Sequence, residues 1–517
     1  MTPKRVRTVE GSCWLCKDRR VLCDLQQPRC SRCVSKGEPC EYGEVRLRWC
    51  NGVAARGRYA GQNVPVSIPS ARRDSSRGSL GKTPPLQSTE NDQGDGEVPK
   101  VETLSPVSSN ALQISGLSSQ VTAEQLLLYF SNVVVDRFSL STDRISINLP
   151  SVCEEPALRD SMSAVANAHH VLSLYPGRPG VGLAKKRARW SAIHNFRARL
   201  ECPSMESRTP GLDLFMANVL LCILDGVIDP HDESAATHMH YRGGRAILSQ
   251  WKLQKQLYQE KRGLPALMLS VFATMDLTYS MLSGEEQYFQ HTIWNGFAES
   301  DGWWGTLPQD DPFLEVMCTL SRLTRLGSLV SKGLDFPDEA LNEEVSTLLT
   351  TLQGPPQIPY DISCPERMDL EDQPAPLLLF TSPGHHDLDH NQSWIVFCNA
   401  YRIAGLIYAY RVFYRLNFGD PLIQQAVNLG IQAVCKTRLT GKLSHCLLFP
   451  ALVIGSHCQS NEDQAAILAT IQSTAAFLHF GSLRVMESFL HRVWERAPAA
   501  ETWWQFFEPI SKKAFLF

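Results

Sequence analysis

The amino-acid sequence predicts a small metal-bound module followed by a large all-α domain. Six of the 16 cysteines in this 517-residue chain fall within 28 residues, between Cys13 and Cys40. Beyond residue 121, apolar residues recur at helical spacing and strand-like alternation is scarce. The two parts also differ in charge, because residues 1–60 hold 13 Lys and Arg against 6 Asp and Glu, whereas the other residues hold 37 against 47.

The six cysteines form two copies of one pattern, 17 positions apart. Each copy reads Cys-x2-Cys-x6-Cys, and the positions are Cys13, Cys16, Cys23, Cys30, Cys33 and Cys40. Zinc prefers four such ligands in a tetrahedron, with Zn–S distances of about 2.3 Å. Two equal halves imply two ions, and six thiolates fill eight coordination positions only if two of them bridge. The pattern therefore predicts a compact binuclear cluster with two structural Zn²⁺ ions.

A disulfide framework is the alternative use of closely spaced cysteines. The first residues, MTPKRVR, lack the apolar stretch of a secretory signal, so we expect the chain to stay where thiols remain reduced. The module also has too few apolar side chains to fold on its own core. Zinc binding, worth roughly 10–16 kcal/mol at a structural site, would supply the folding free energy.

The cysteine pattern resembles that of the fungal Zn2Cys6 binuclear-cluster transcription factors. All six spacings match that family without a gap, and Pro28 stands in the loop between the halves, where family members usually carry proline. The resemblance implies that Cys13 and Cys30 bridge the two ions. It implies that one site is completed by Cys16 and Cys23 and the other by Cys33 and Cys40. It also implies that the short helix after Cys13 enters the major groove at a CGG-type triplet.

The basic residues of the first half of the module are the predicted DNA contacts. Lys17, Arg19 and Arg20 occupy the family's basic positions by the same resemblance. An arginine fork can bond guanine O6 and N7 together, whereas phosphate contacts position a protein without reading sequence. We predict Arg20, and after it Arg19, as base readers and Lys17 as a phosphate contact; a solvated basic face is the alternative. Leu22 departs from the family pattern, in which lysine commonly precedes the third cysteine.

The regions that flank residues 13–42, the predicted Zn2Cys6 DNA-binding domain, are basic. Residues 1–12 form a basic arm that would suit phosphate contacts or nuclear import. Residues 43–60 interleave arginines with aromatic residues, which fits either a nucleic-acid flank or a strap over the zinc module. The sequence of residues 43–60 resembles the corresponding sequence in one branch of this family, the branch that includes regulators of arginine and γ-aminobutyrate use. Cys50 is interpreted as a spare thiol.

Residues 61–120 are predicted to be a disordered linker. They contain no aromatic residue, and Ser, Pro and Gly occupy 24 of the 60 positions. Residues 41–120 show no sustained heptad pattern. A homodimer would therefore have to form through the helical domain.

Residues 121–517 are predicted to be an all-α domain. Thr122 and Gln125 make a capping box that opens the first helix. Further helices are predicted at roughly 157–174, 182–201, 211–228, 235–258, 264–282, 312–332, 338–353, 393–416, 421–437, 443–458, 462–479, 481–496 and 501–510. We find no apolar run as long as the roughly 18 residues of a membrane span, so no membrane partner is expected. The domain resembles the α-helical regulatory domain of the same family.

Catalytic motifs are not found in this domain, and we predict that the protein is not an enzyme. The segment GHHDLDH, residues 384–390, is interpreted as a solvated loop, and His169 and His170 as core and surface histidines. Residues 367–390 mix acidic and apolar residues, which suits a surface loop or an activation segment. The Trp303–Trp304 and Trp503–Trp504 pairs are interpreted as packing anchors.

The predicted function is that of a nuclear, sequence-specific regulator of RNA polymerase II transcription. Its expected partners are double-stranded DNA and the transcription machinery or co-regulators. The resemblance suggests a pathway-specific role, in nutrient use or a biosynthetic gene cluster. Two alternatives stay open: an enzyme or small-molecule sensor that the zinc module merely localises, and a scaffold whose zinc module binds a protein. Turnover or small-molecule stabilisation would favour the first alternative, and DNA affinity insensitive to salt the second.

Overall fold

A computed structural model describes residues 12–19, 21–38, 40, 122–141, 144–175, 183–201, 210–230, 235–333, 338–353, 389–495 and 501–516. The chain divides into two compact units, Met1–Gln120 and Val121–Phe517. Of the predicted basic arm only Ser12 is described, and the predicted flank and linker lie outside the described residues. Each unit is considered by itself below.

The smaller unit repeats one short motif. Its helices are α1 (Trp14–Arg19) and α2 (Ser31–Val34). The loop after each helix closes with the same hydrogen bond, from Val21 N–H to Cys16 O at 3.1 Å and from Glu38 N–H to Cys33 O at 3.0 Å. These donors and acceptors are 17 positions apart, so the sequence repeat is also a structural repeat.

The larger unit is built from α-helices. Their bounds are α3 (Ala123–Tyr129), α4 (Val135–Phe138), α5 (Leu149–Glu154), α6 (Pro156–Leu174), α7 (Leu183–Glu201), α8 (Pro210–Ile223), α9 (Ala235–Gln250), α10 (Gln254–Gln259), α11 (Gly263–Ser283), α12 (Ile293–Gly296), α13 (Pro312–Ser331), α14 (Asp338–Gln353), α15 (His390–Val412), α16 (Pro421–Ile431), α17 (Leu448–Ser456), α18 (Asn461–Leu478), α19 (Ser482–Glu495) and α20 (Trp503–Ser511). Three π-helical turns, Phe130–Val134, Leu224–Ile228 and Gln432–Lys436, continue α3, α8 and α16, and a 3₁₀ turn spans Leu443–Cys446.

The predicted all-α class is confirmed for the described part of this unit. The two strands described there, β1 (Asp301–Gly302) and β2 (Gly305–Thr306), form a small antiparallel hairpin. Thr122 and Gln125 form the predicted capping box at the start of α3, with hydrogen bonds in both directions. Helices α5 and α12 were not predicted, because four to six residues are too few to display a helical period.

Helix α11 lies at the centre of the larger unit. It packs against α8, α13 and α20, so it is buried on every side and shows little amphipathicity. Gly211–Ile228 and Gly263–Ser283 are long and apolar enough to cross a membrane by length and composition, which corrects the expectation that no segment reaches that length. Polar residues interrupt both segments, Asn218 and Asp225 in the first and Thr274 and Asp276 in the second, so neither is an unbroken apolar run. Each window is 94% buried inside the protein, as core helices are.

A buried carboxylate ties α11 to its neighbours. Asp276 is 1% exposed and accepts hydrogen bonds from Tyr241 Oη at 2.6 Å and Arg245 Nε at 3.1 Å. The backbone N–H groups of Tyr288 and Phe289 donate to it as well, at 2.9 and 3.1 Å. A buried charge is tolerated when it is paired and hydrogen-bonded to this degree. The network fixes α9 and the loop after α11 to the central helix.

Candidate metal centre and nucleic-acid interface

The six predicted zinc ligands converge in the smaller unit. Cys13 and Cys30 are fully buried, Cys16 and Cys33 are nearly so, and Cys40 is half-buried. The Sγ atom of Cys13 lies 3.7 Å from those of both Cys30 and Cys33, and Cys16 Sγ lies 3.8 Å from Cys30 Sγ. A tetrahedron with Zn–S distances of about 2.3 Å has S···S edges of about 3.8 Å. Disulfide sulfurs would be only about 2.0 Å apart, so these spacings fit a metal cluster.

The sulfur atoms fall into two overlapping sets. Within each set all sulfurs lie within 4.8 Å of one another, and the sets are Cys13, Cys16, Cys23 and Cys30, and Cys13, Cys30, Cys33 and Cys40. Cys13 and Cys30 are common to both. A binuclear cluster in which two thiolates bridge requires this overlap. In the part of the chain that the structure describes, these two sets are the groups of three or more His, Cys, Asp or Glu placed to hold a metal ion.

The backbone positions the shared thiol Cys30. This residue caps the start of α2, where its Sγ accepts a hydrogen bond from Cys33 N–H at 3.4 Å. Burial raises the pKa of Cys30, but this N–H and the hydrogen bonds from neighbouring thiols outweigh burial and lower the pKa to about 6. Burial raises the pKa of Cys13, and raises that of Cys33 to about 12. Because zinc takes thiolates, metal binding at this centre releases protons.

Three arginines of this unit are engaged within it. Arg19 forms a two-pronged ion pair with Glu38, in which Nη2 lies 2.7 Å from Oε1 and Nη1 contacts Oε2. Arg29 donates to the Glu38 carbonyl at 2.8 Å, and Arg32 donates to the Leu22 carbonyl at 3.2 Å. The bonds from Arg19 and Arg32 link the two halves of the module. The hydrogen bonds from Arg19 are the main reason that the pKa of Glu38 lies below its usual value.

The three predicted DNA contacts are described unequally. Arg19, at the end of α1, has a described side chain, which is 44% exposed. Arg20 and the Lys17 side chain lie outside the described residues. Sequence reasoning did not single out Glu38, although a signal was present: it is the one acidic residue between Cys30 and Cys40 in a module whose other charged residues there are basic.

The histidine-rich candidates do not come together as a site among the described residues. Asp389 caps α15 by accepting from Gln392 N–H at 2.7 Å, and His390 begins that helix. Most of residues 367–390, including His385 and His386, lie outside the described residues. His169 is 1% exposed, as a core histidine would be.

The chain matches two domain families. The Fungal Zn(2)-Cys(6) binuclear cluster domain matches residues 11–49, and the Fungal specific transcription factor domain matches residues 125–517. The chain therefore belongs to the fungal-specific transcription factors that carry a zinc- and DNA-binding Zn2Cys6 cluster, with two Zn²⁺ ions. The two domain families indicate a transcription regulator.

A curated relative is similar over the zinc module. Arginine metabolism regulation protein II of Saccharomyces cerevisiae is 44% identical to this chain over 45 residues, which are 9% of this chain and 5% of that protein. The match thus spans about a twentieth of the relative's length and supports the arginine-regulator-like branch. No solved structure matches the chain.

Proposed function

We propose that this protein reads a CGG-type triplet in DNA through its zinc module and thereby regulates RNA polymerase II genes. The observation that carries the proposal is the overlap of the two sulfur sets at Cys13 and Cys30. Those two thiolates would be the bridging ligands of two zinc ions, and Cys16, Cys23, Cys33 and Cys40 would be the terminal ligands. The cluster then fixes the direction of α1, which a module with so small a core could not do without metal.

The three basic residues between Cys16 and Cys23 have separate roles in this proposal. Arg20 reads a guanine through O6 and N7, and Arg19 is the second base reader. Lys17, as a compact charge on a flexible stem, contacts a phosphate. The protein acts in the nucleus, and it controls one pathway, in nutrient use or a biosynthetic gene cluster. The role in arginine metabolism that the relative's name states favours nutrient use. Homodimers, where they form, use the helical unit.

The test is to measure zinc content and selected DNA sequence together on the full-length protein. Zinc is counted per chain by mass spectrometry, and bound duplexes are sequenced from a random pool at moderate salt. We expect two zinc ions and enrichment of a CGG-type triplet. Two zinc ions with no enriched sequence would refute sequence-specific reading. Binding of a protein partner with little dependence on salt would instead favour the scaffold alternative.

A second candidate function, small-molecule sensing by the helical unit, is favoured by a cleft of about 710 Å³ between α9, the end of α11 and α20. This volume lies in the range of ligand sites. Two polar atoms of lining residues, His238 Nε2 and Trp504 Nε1, are buried and find no hydrogen-bond partner among the described residues. Tyr279 Oη donates to Glu285 at 2.9 Å, so His238 Nδ1 must donate to Tyr279 and Nε2 is left as an acceptor.

The cleft favours an uncharged or zwitterionic molecule with a flat apolar body. Its two cations, Arg242 and Lys512, are each paired with a carboxylate, from Glu285 and Glu508. The indole of Trp504 supplies both an apolar surface and an N–H donor. Such a molecule would donate to His238 and accept from Trp504.

Thermal unfolding of the full-length protein tests this candidate, with adenine, L-histidine and L-tryptophan at millimolar concentration as probes. Binding should raise the unfolding temperature of the helical unit by roughly 1–2 °C. Trp504→Phe should abolish the shift, whereas Trp190→Phe, at an exposed position on α7, should keep it. If no probe raises the unfolding temperature, the candidate is rejected.

A further inference from the structure

The ion pair between Arg19 and Glu38 lies within the proposed DNA interface. Arg19 ends α1, the helix that the proposed function places in the major groove, and both of its terminal nitrogens contact the Glu38 carboxylate. Both side chains are partly exposed, at 44% and 29%. A carboxylate and a phosphate present similar pairs of oxygens to an arginine fork. Glu38 therefore occupies the donors with which Arg19 would contact DNA.

Glu38 is itself held in place. Its N–H donates to Cys33 O at 3.0 Å, and its carbonyl accepts from Arg29 Nη2 at 2.8 Å. Its backbone is therefore fixed to the second half of the module, next to the cluster. The carboxylate is presented to Arg19 from a rigid position, so the pair forms at little further loss of conformational entropy.

We propose that Glu38 limits the affinity of the module for DNA by competing with DNA for Arg19. The proposal rests on the proposed function. On DNA without the correct triplet, Arg19 stays on Glu38 and contributes no phosphate contact. At the correct triplet, two hydrogen bonds to a guanine edge replace the two bonds to the carboxylate. Glu38 thus weakens binding at the correct triplet by the full free energy of the ion pair, whereas on incorrect DNA, where the pair need not break, it withholds at most one phosphate contact.

Removing the carboxylate charge at Glu38 tests the proposal. Full-length wild type and Glu38→Gln are compared by fluorescence anisotropy on a CGG-containing duplex and on a scrambled duplex over a range of salt concentrations. We expect about two- to fivefold tighter binding to the CGG duplex, the amount that an exposed ion pair opposes. On scrambled DNA we expect a gain no larger than on the CGG duplex, and a salt slope steeper by about 0.9, because Arg19 now neutralises one phosphate.

Asp24→Asn is the matched control. It removes one negative charge from the same module, and the asparagine keeps the acceptor that Asp24 offers to Ser31 N–H at 3.0 Å. This control separates the pairing of Arg19 from a general change in charge. If the effect of Glu38→Gln on affinity acts through Arg19, it should disappear when Arg19 is absent. The double variant, Arg19→Gln with Glu38→Gln, should therefore bind DNA no more tightly than Arg19→Gln alone. Zinc content must remain two ions per chain in every variant compared.

The possible results distinguish failure of the competition proposal from failure of the proposed function. If wild type binds both duplexes equally, sequence-specific reading fails, and the competition proposal fails with it. If wild type prefers the CGG duplex but Glu38→Gln changes affinity no more than Asp24→Asn does, only the competition is refuted. Weaker binding by a fully zinc-loaded Glu38→Gln would show that the pair braces α1, which also refutes competition. A gain that persists without Arg19 would refute competition as well.

Discussion

At the residue scale, Arg20 should carry base discrimination. Arg20→Ala should weaken binding to a CGG-containing site by about 1–3 kcal/mol and relax the base preference, because two hydrogen bonds to one guanine are lost. Competition binding against duplexes with each triplet position substituted measures this. Lys17→Ala serves as the comparison, since loss of a phosphate contact should weaken all duplexes alike. An equal loss on scrambled DNA would assign Arg20 to a phosphate.

His169 shows how a buried imidazole makes stability depend on pH. Its Nε2 donates to Leu478 O at 2.9 Å in α18, so its Nδ1 accepts from Tyr129 Oη at 3.0 Å in α3. Burial is the main cause that lowers the pKa of His169 to about 4. An unfolded histidine titrates near 6.5. Between these values the unfolded chain binds the proton more tightly, so stability is lost as the pH falls from about 6.5 towards 4.

His169→Gln should therefore flatten the acid dependence of the helical unit. Between about pH 7 and pH 4.5 the variant should lose about 2 kcal/mol less free energy of unfolding than wild type. Urea denaturation followed by circular dichroism at both pH values measures the difference. His170→Gln, at the neighbouring half-buried position, is the matched control for replacing a histidine on the same helix. If the stability of His169→Gln depends on pH as that of wild type does, His169 is not the source of the acid-induced loss of stability.

At the element scale, α13 and α15 cross at a glycine. A Cβ atom on Gly327 would lie 1.9 Å from the hydroxyl of Tyr408, so only glycine permits this approach. The same hydroxyl is buried and has no hydrogen-bond partner among the described residues. The close crossing therefore comes with an unsatisfied polar group, which ordinarily destabilises a protein by about 1–3 kcal/mol.

Gly327→Ala should destabilise the helical unit by about 1–3 kcal/mol through overpacking. Tyr408→Phe should be neutral or stabilising, because it removes the unsatisfied hydroxyl. It should also restore most of the loss in the double variant, since the clashing atom is gone. Thermal and urea unfolding of the four proteins form a double-mutant cycle. If the free-energy changes of Gly327→Ala and Tyr408→Phe add up in the double variant, the alanine at position 327 does not clash with the Tyr408 hydroxyl.

Local signals made the helices predictable. Thr122 and Gln125 marked the start of α3, and apolar periodicity placed most long helices to within a few residues. The hairpin of β1 and β2 was not predictable, because Trp303 is held by bonds to distant residues: its N–H donates to Ser270 Oγ and its Nε1 to Thr274 Oγ1. Contacts between residues about 30 positions apart leave no local period in a sequence.

The candidate site was likewise predictable only in part. Spacing alone predicted six convergent thiols, because a Cys-x2-Cys pair turns two sulfurs towards one point. The pairing of Arg19 with Glu38 could not be predicted, since it depends on how the loops fold around the cluster. Likewise, the position of Asp276 in the middle of an apolar helix did not reveal its partners, which come from α9 and the loop after α11.

At the scale of the whole molecule, the two units have separate cores. The smaller is stabilised by metal, and the larger by buried helices. Cys23→Ala should therefore lose zinc and DNA binding, because metal binding supplies most of the folding free energy of the module. The helical unit should unfold at the same temperature as in wild type. Zinc counting, DNA binding and calorimetry of the full-length protein test this.

Two outcomes would contradict that expectation. Retention of two zinc ions by Cys23→Ala would show that another residue completes the site. A lower unfolding temperature of the helical unit would show that its stability depends on the module. Cys153→Ala, an exposed cysteine at the end of α5, is the matched control for loss of a thiol.

Helix α20 closes the core from far along the chain. Trp503 Nε1 donates to Met281 O at 2.8 Å, and Phe515 N–H donates to Gly226 O at 2.9 Å. During synthesis, α8 and α11 leave the ribosome long before residues 503–515 exist to cover them. The surface of α11 that α20 covers therefore lacks that cover until translation has passed residue 511. The zinc module, whose ligands all lie within the first 40 residues, has what it needs to bind metal while the rest is still being made.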